Sequence, residues 1–158
     1  MRMGVKSVMM AVVVAGSVGG AAAQNSASTC KAMHADLIED RSTTSCRPGH
    51  TACFLGVVDG NQGLRGTTYF RGDSSTAPIP TSPEFRGYGG VFEYATEHGT
   101  LTARESGVTS ATQGVVTAHQ RIIDATGEFS GASGYLFVSG FTDGQHVVTR
   151  VTGEICRP

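Results

Sequence analysis

Ile122-Ile123-Asp124-Ala125-Thr126-Gly127-Glu128-Phe129-Ser130-Gly131-Ala132-Ser133-Gly134-Tyr135-Leu136-Phe137-Val138-Ser139-Gly140 decides the fold class. It reads as strand, glycine turn, strand. Phe129, Tyr135, Phe137 and Val138 supply bulk and β propensity, while the glycines at 127, 131, 134 and 140 allow positive φ and close backbone approach. The pattern predicts a small, tightly turned antiparallel barrel.

Working outward, short β-type segments recur at 52–58, 67–71, 91–96, 100–106, 114–124, 135–141 and 146–155. Asp59-Gly60-Asn61, Glu97-His98-Gly99, Thr126-Gly127-Glu128 and Thr142-Asp143-Gly144 supply hairpin turns between them. Sequential hairpins favour an up-and-down meander, and closure removes its exposed edges. The expected fold is all-β, a closed antiparallel β-barrel of about eight strands. Met33, Leu37 and Ile38 fall at helical spacing behind Ser28 or Thr29 as N-caps, which predicts one short N-terminal helix over 32–41. The stretch 72–90, with three prolines and little periodicity, reads as a long loop, either a lid over the barrel mouth or a plain excursion.

Arg2 and Lys6, the apolar run Val8 to Val18 and the small residues before Gln24 predict a secretory signal peptide over 1–23. The expected organisation is that signal, an N-terminal segment with the helix over 24–50, and a β-barrel domain over 51–158. No later segment approaches the roughly 20 apolar residues of a membrane helix, so no membrane is expected after signal cleavage. The predicted location is secreted or periplasmic. Removing Arg2 and Lys6 from the 12 basic residues leaves 10 against 13 acidic ones, with no block of either sign. A phosphate-tracking surface is therefore absent, and nucleic acid is not an expected partner.

Export places Cys30, Cys46, Cys53 and Cys156 where disulfides persist. Four cysteines allow three connectivities. Arg47-Pro48-Gly49-His50 is turn chemistry that brings Cys46 to Cys53, and Cys30–Cys156 follows. The alternative is a zinc site, but there is no Cys-x2-Cys pair and the histidines are scattered. No metal and no cofactor are expected.

Asp124 to Gly134 resembles the Gly-Gly-Thr-Gly-x-Phe-x-x-Ala-x-Gly signature shared by allene oxide cyclases and dirigent proteins, with Asp124 and Ala125 in place of the leading glycines. The flanking strands and the closing Val151 to Cys156 extend the likeness over residues 91–156. The resemblance implies an exported member of that barrel superfamily, an eight-stranded barrel, trimeric in many members, with an apolar ligand in its lumen. It also implies cyclisation or isomerisation by positioning in a water-poor wall. Dirigent members often carry arginine where this chain has Ser133, so their charged set does not transfer. A lipocalin would call for a Gly-x-Trp near the first strand, and the chain has no tryptophan.

Strand parity supplies the catalytic candidates. Thr117, His119 and Arg121 share one face of their strand, and Glu93 lies opposite Phe92 and Tyr94. If those faces line the lumen, Glu93, His119 and Arg121 form an acid-base and anion-stabilising set; the alternative is a solvated outer wall. Tyr94, Tyr135, Phe137, Phe85 and Tyr88 are the ligand-binding candidates. The functional expectation is an exported cofactor-independent barrel that directs cyclisation or isomerisation of a small apolar or phenolic molecule. Its alternatives are a non-catalytic hydrophobic-ligand carrier and an interaction module with a filled barrel.

Overall fold

The structure, a computed structural model, describes residues 29–44 and 46–158. The expected signal peptide lies outside the described residues. Eight strands follow one another: β1 (Thr29–Arg41), β2 (Ala52–Gly60), β3 (Arg65–Ile79), β4 (Ser82–Thr96), β5 (Gly99–Ser110), β6 (Val115–Ala125), β7 (Ser133–Thr142) and β8 (His146–Arg157). All pairings are antiparallel, chain neighbours are sheet neighbours, and β1 pairs with β8 to shut the cylinder. The expected closed barrel is the observed one.

The expected helix over 32–41 is corrected. Met33, Ala35, Leu37 and Glu39 are buried and alternate with exposed His34, Asp36, Ile38 and Asp40, a period of two. Tertiary pairing overrides the helical spacing: as a strand, this segment satisfies β2 over Ala35–Arg41 and β8 over Thr29–Asp40. As a helix it would leave both neighbours with open edges. The closed sheet thus runs from Thr29 to Arg157, and part of segment 24–50 is its first stave.

The stretch 72–90 is also strand rather than irregular loop. It forms the far ends of β3 and β4, with register shifts at Gly72/Ser74, Ser75/Pro78 and Pro78/Ile79. Such shifts are where a ladder tolerates prolines, which donate no backbone hydrogen bond. Asp73 on this arm is gripped by Arg104 of β5, Nη2 to Oδ1 at 2.9 Å.

One end of the barrel is plugged. The opening stretch forms β6, a single 3₁₀ turn over Gly127–Phe129, and β7. That turn drives Phe129 into the core, fully buried in the cluster that holds Met33, Leu64, Leu101, Leu136 and Ile155. The turn depends on glycine: Gly127 has φ +61°, and a Cβ there would lie 2.4 Å from the His98 carbonyl oxygen.

Both expected disulfides are present. Cys30–Cys156 joins residues directly opposed in the β1–β8 register and staples the seam that closes the barrel. Cys46–Cys53 ties the β1–β2 connection onto β2.

Candidate functional site

The other end of the barrel is hollow. A cavity of about 510 Å³ opens there, with Arg41, Thr51, Ser75, Glu84, Arg86 and Thr112 around its mouth and Phe54, Phe70, Tyr88, Phe92, Glu39 and Glu105 deeper in. The β3–β4 arm contributes Ser75, Pro83, Glu84 and Arg86, so the proline-bearing segment does help to frame the opening.

Glycines at inward-facing positions make the room. Gly56 stands opposite Glu39, and Gly90 opposite Glu105. A Cβ at Gly56 would approach Glu39 Cγ to 2.6 Å, and one at Gly90 would approach the Phe70 ring to 2.6 Å. Gly107 lies under Tyr88 in the same way, with its Cβ position 2.6 Å from the hydroxyl. Into this space pack the aromatic rings. Phe70 lies 6.3 Å from Phe54, 5.8 Å from Tyr88 and 6.2 Å from Phe92, and Phe92 lies 4.6 Å from Tyr94.

A polar relay crosses the apolar wall. The Tyr94 hydroxyl donates to Gln120 Oε1 at 2.6 Å, and Gln120 Nε2 donates to Glu105 Oε2 at 2.5 Å. The Tyr88 hydroxyl also hydrogen-bonds Glu105. Burial pushes the Glu105 carboxyl up, and these two donors pull it back. Burial likewise holds the Tyr88 and Tyr94 hydroxyls well above their ordinary value, so both remain protonated donors.

Glu39 sits in a different environment. It is 5 % exposed, and its Oε1 has no hydrogen-bond partner; the hydroxyls of Thr68 and Thr149 are buried and unpartnered as well. Desolvation, with a smaller contribution from the Glu105 charge, pushes its carboxyl from 4.5 up to about 8. Two acids thus face one lumen in unlike surroundings. Glu105, with two donors, is the better seat for negative charge, and Glu39 is the neutral acid at neutral pH.

The sequence candidates separate across the wall. Tyr94 and Tyr88 face inward. Glu93 points outward, half-exposed, with Arg71 Nη2 3.5 Å from its carboxylate. His119 and Arg121 are exposed on the outer face of β6. The His119 ring lies 6.3 Å from Tyr135 and 5.3 Å from Phe137, which are 40 % and 49 % exposed on β7. Tyr135 donates to Glu154 Oε1 at 2.7 Å. Phe85 is half-buried on β4 outside the cavity lining. The solvated-wall alternative therefore describes Glu93, His119 and Arg121, and among the described residues the carboxyls deep in the lumen are Glu39 and Glu105. A usable signal was present in the sequence: each of these glutamates continues an inward apolar alternation, Met33-Ala35-Leu37-Glu39 and Leu101-Ala103-Glu105.

The fold brings His50 beside Cys46 and Cys53, with potential ligand atoms within 4.8 Å of one another. Both sulfurs are joined in the disulfide, so the trio offers only one imidazole as a ligand. No family model matches the sequence, and no curated protein matches it. What the lumen can do therefore rests on its own geometry.

Proposed function

We propose that this protein is an exported, cofactor-independent barrel that binds a small apolar or phenolic molecule in its lumen and directs its cyclisation or isomerisation, in the manner of the allene oxide cyclase and dirigent barrels it resembles. The observation that carries this reading is the Glu39 carboxyl, buried with its Oε1 unpartnered on the wall of an aromatic-lined cavity. A buried acid with a free oxygen is costly unless something else completes its hydrogen bonding. A ligand does that.

The body of the ligand packs against Phe54, Phe70 and Phe92, where water is excluded and one conformer is selected. Glu39, neutral at physiological pH, donates its proton to a heteroatom of the ligand. Glu105, fixed by Gln120 and Tyr88, offsets positive charge as it develops and takes up a proton released elsewhere on the molecule. The chemistry is a proton redistribution that needs no electron acceptor. Two disulfides suit an oxidising, extracytoplasmic compartment, which fits export. Association into a homo-oligomer, trimeric by the resemblance, is part of the proposal. Phe141, Val148, Ile38 and Val57 support it: they oppose one another across β7, β8, β1 and β2 and are 71, 54, 50 and 56 % exposed.

A pure carrier would use the hollow and not the proton. The test is native mass spectrometry of protein purified from its own host, with extraction of the bound molecule and measurement of its turnover. Glu39→Gln is expected to lose about 10²–10⁴ in rate. Wild-type turnover in that variant would end the catalytic reading, and a consistently empty barrel would end both.

A further inference from the structure

Among the described residues the two acids deep in the lumen, Glu39 and Glu105, form no ion pair with a basic side chain; every such pair involves other carboxylates. The arginines that border the cavity, Arg41 and Arg86, are exposed at its lip. Buried carboxylates are ordinarily matched by a cationic side chain or a metal, and here the described residues supply neither hydrogen-bond partner nor ion pair to Glu39 Oε1. Three aromatic residues of the same cavity, Phe70, Tyr88 and Phe92, stand with the acids. Ring faces attract a desolvated cation.

Resting on the ligand-holding lumen proposed above, we infer that the ligand carries a basic nitrogen, held as an ammonium or iminium between the Glu39 and Glu105 carboxylates and the surrounding aromatic rings. The proton balance closes without a co-reactant. A neutral nitrogen takes the Glu39 proton: the O–H bond breaks, an N–H bond forms, and a carboxylate remains beside the new cation. A ligand that arrives already charged displaces the same proton to solvent. The apolar body of the molecule occupies the wall of Phe54 and Val138.

A nitrogen and an oxygen ligand differ in the sign of their pH dependence. A cation needs Glu39 ionised, whereas a neutral hydroxyl or carbonyl is held by the protonated acid. Among the described residues the titratable groups coupled to Glu39 are Glu105 from β5 and Tyr88 and Tyr94 from β4, with Arg41, Glu84 and Arg86 at the mouth of the same cavity, and both tyrosines stay protonated throughout the range. Its register partners on β2 and β8, Gly56 and Val147, do not titrate.

The experiment is calorimetric titration of the oxidised protein with a matched pair of probes, 2-phenylethylamine and 2-phenylethanol, between about pH 6 and pH 8. The amine is expected to bind more tightly as pH rises, by up to about tenfold per pH unit, and to exceed the alcohol at least about tenfold at the upper end. Glu39→Gln is expected to abolish the slope, and Glu105→Gln to weaken the amine selectively. A flat amine profile, or an alcohol that binds equally well at every pH, overturns the inference. Binding of the alcohol alone overturns it while leaving the ligand-holding lumen in place. Failure of both probes at every pH removes the inference and the lumen reading together.

Discussion

Glu39→Gln should make the protein's stability less sensitive to pH, and the size of the change follows from the lumen. Glutamine keeps the shape of the side chain and cannot ionise. In the wild type the carboxyl titrates near 8 in the fold, against 4.5 without its surroundings, because burial disfavours its charged form. The folded state therefore binds a proton that the unfolded chain has lost. Its stabilising effect is complete below about pH 4.5, declines as pH rises towards 8, and is gone above that. The slope is about 1.4 kcal/mol per pH unit, and the whole window is worth about 5 kcal/mol. Glu105 is shifted in the same direction, so the wild type should lose stability across this range more steeply than Glu39 alone requires. Urea unfolding with disulfides intact, at several pH values from about 5 to about 9, measures the effect as a difference between the two proteins. Glu39→Gln should be close to wild type at the acid end and more stable by several kcal/mol at the alkaline end. Two stability curves that run parallel over the whole range would refute the reasoning, because they would mean that Glu39 titrates alike in the folded and unfolded chain.

Three further outcomes follow from the same structure. Replacing Cys30 and Cys156 by serine should cost about 5 kcal/mol and replacing Cys46 and Cys53 about 2.5 kcal/mol, the ratio that loop-closure entropy gives for separations of 126 and 7 residues, measured by chemical unfolding. Gly134→Ala should lower stability by at least about 2 kcal/mol, since its φ of +139° and the Glu154 carbonyl 2.2 Å from the new Cβ both oppose a side chain, and thermal unfolding reads it. The double variant His119→Ala, Arg121→Ala should bind phenylethyl probes as the wild type does, because both side chains lie on the outer wall, and calorimetry checks this.

The barrel was legible because hairpin chemistry is local. Gly99, Gly127 and Gly144 all adopt positive φ at turns that the sequence marks with glycine, and the strands between them alternate. β1 was not legible because Met33, Leu37 and Ile38 satisfy helical spacing and strand parity at once. Only pairing to β2 and β8 decides between them, and Ile38 lies on the exposed side of the strand. The arm over 72–90 escaped for a related reason: bulges absorb the prolines, and a bulge leaves no mark in the alternation. At the site, parity correctly grouped Phe92 with Tyr94 and His119 with Arg121. What it leaves open is which group faces inward. The charged candidates Glu93, His119 and Arg121 lie on the outer wall, while Glu39 and Glu105 stand at the ends of inward apolar alternations.

The most direct test of the lumen as an acid-bearing site is the titration of Glu39 itself. In protein labelled with carbon-13 at the glutamate carboxyls, with the Glu39 resonance assigned through Glu39→Gln, that signal should titrate near 8. A Glu39 resonance that titrates close to 4.5 would place the carboxyl in water and contradict the account.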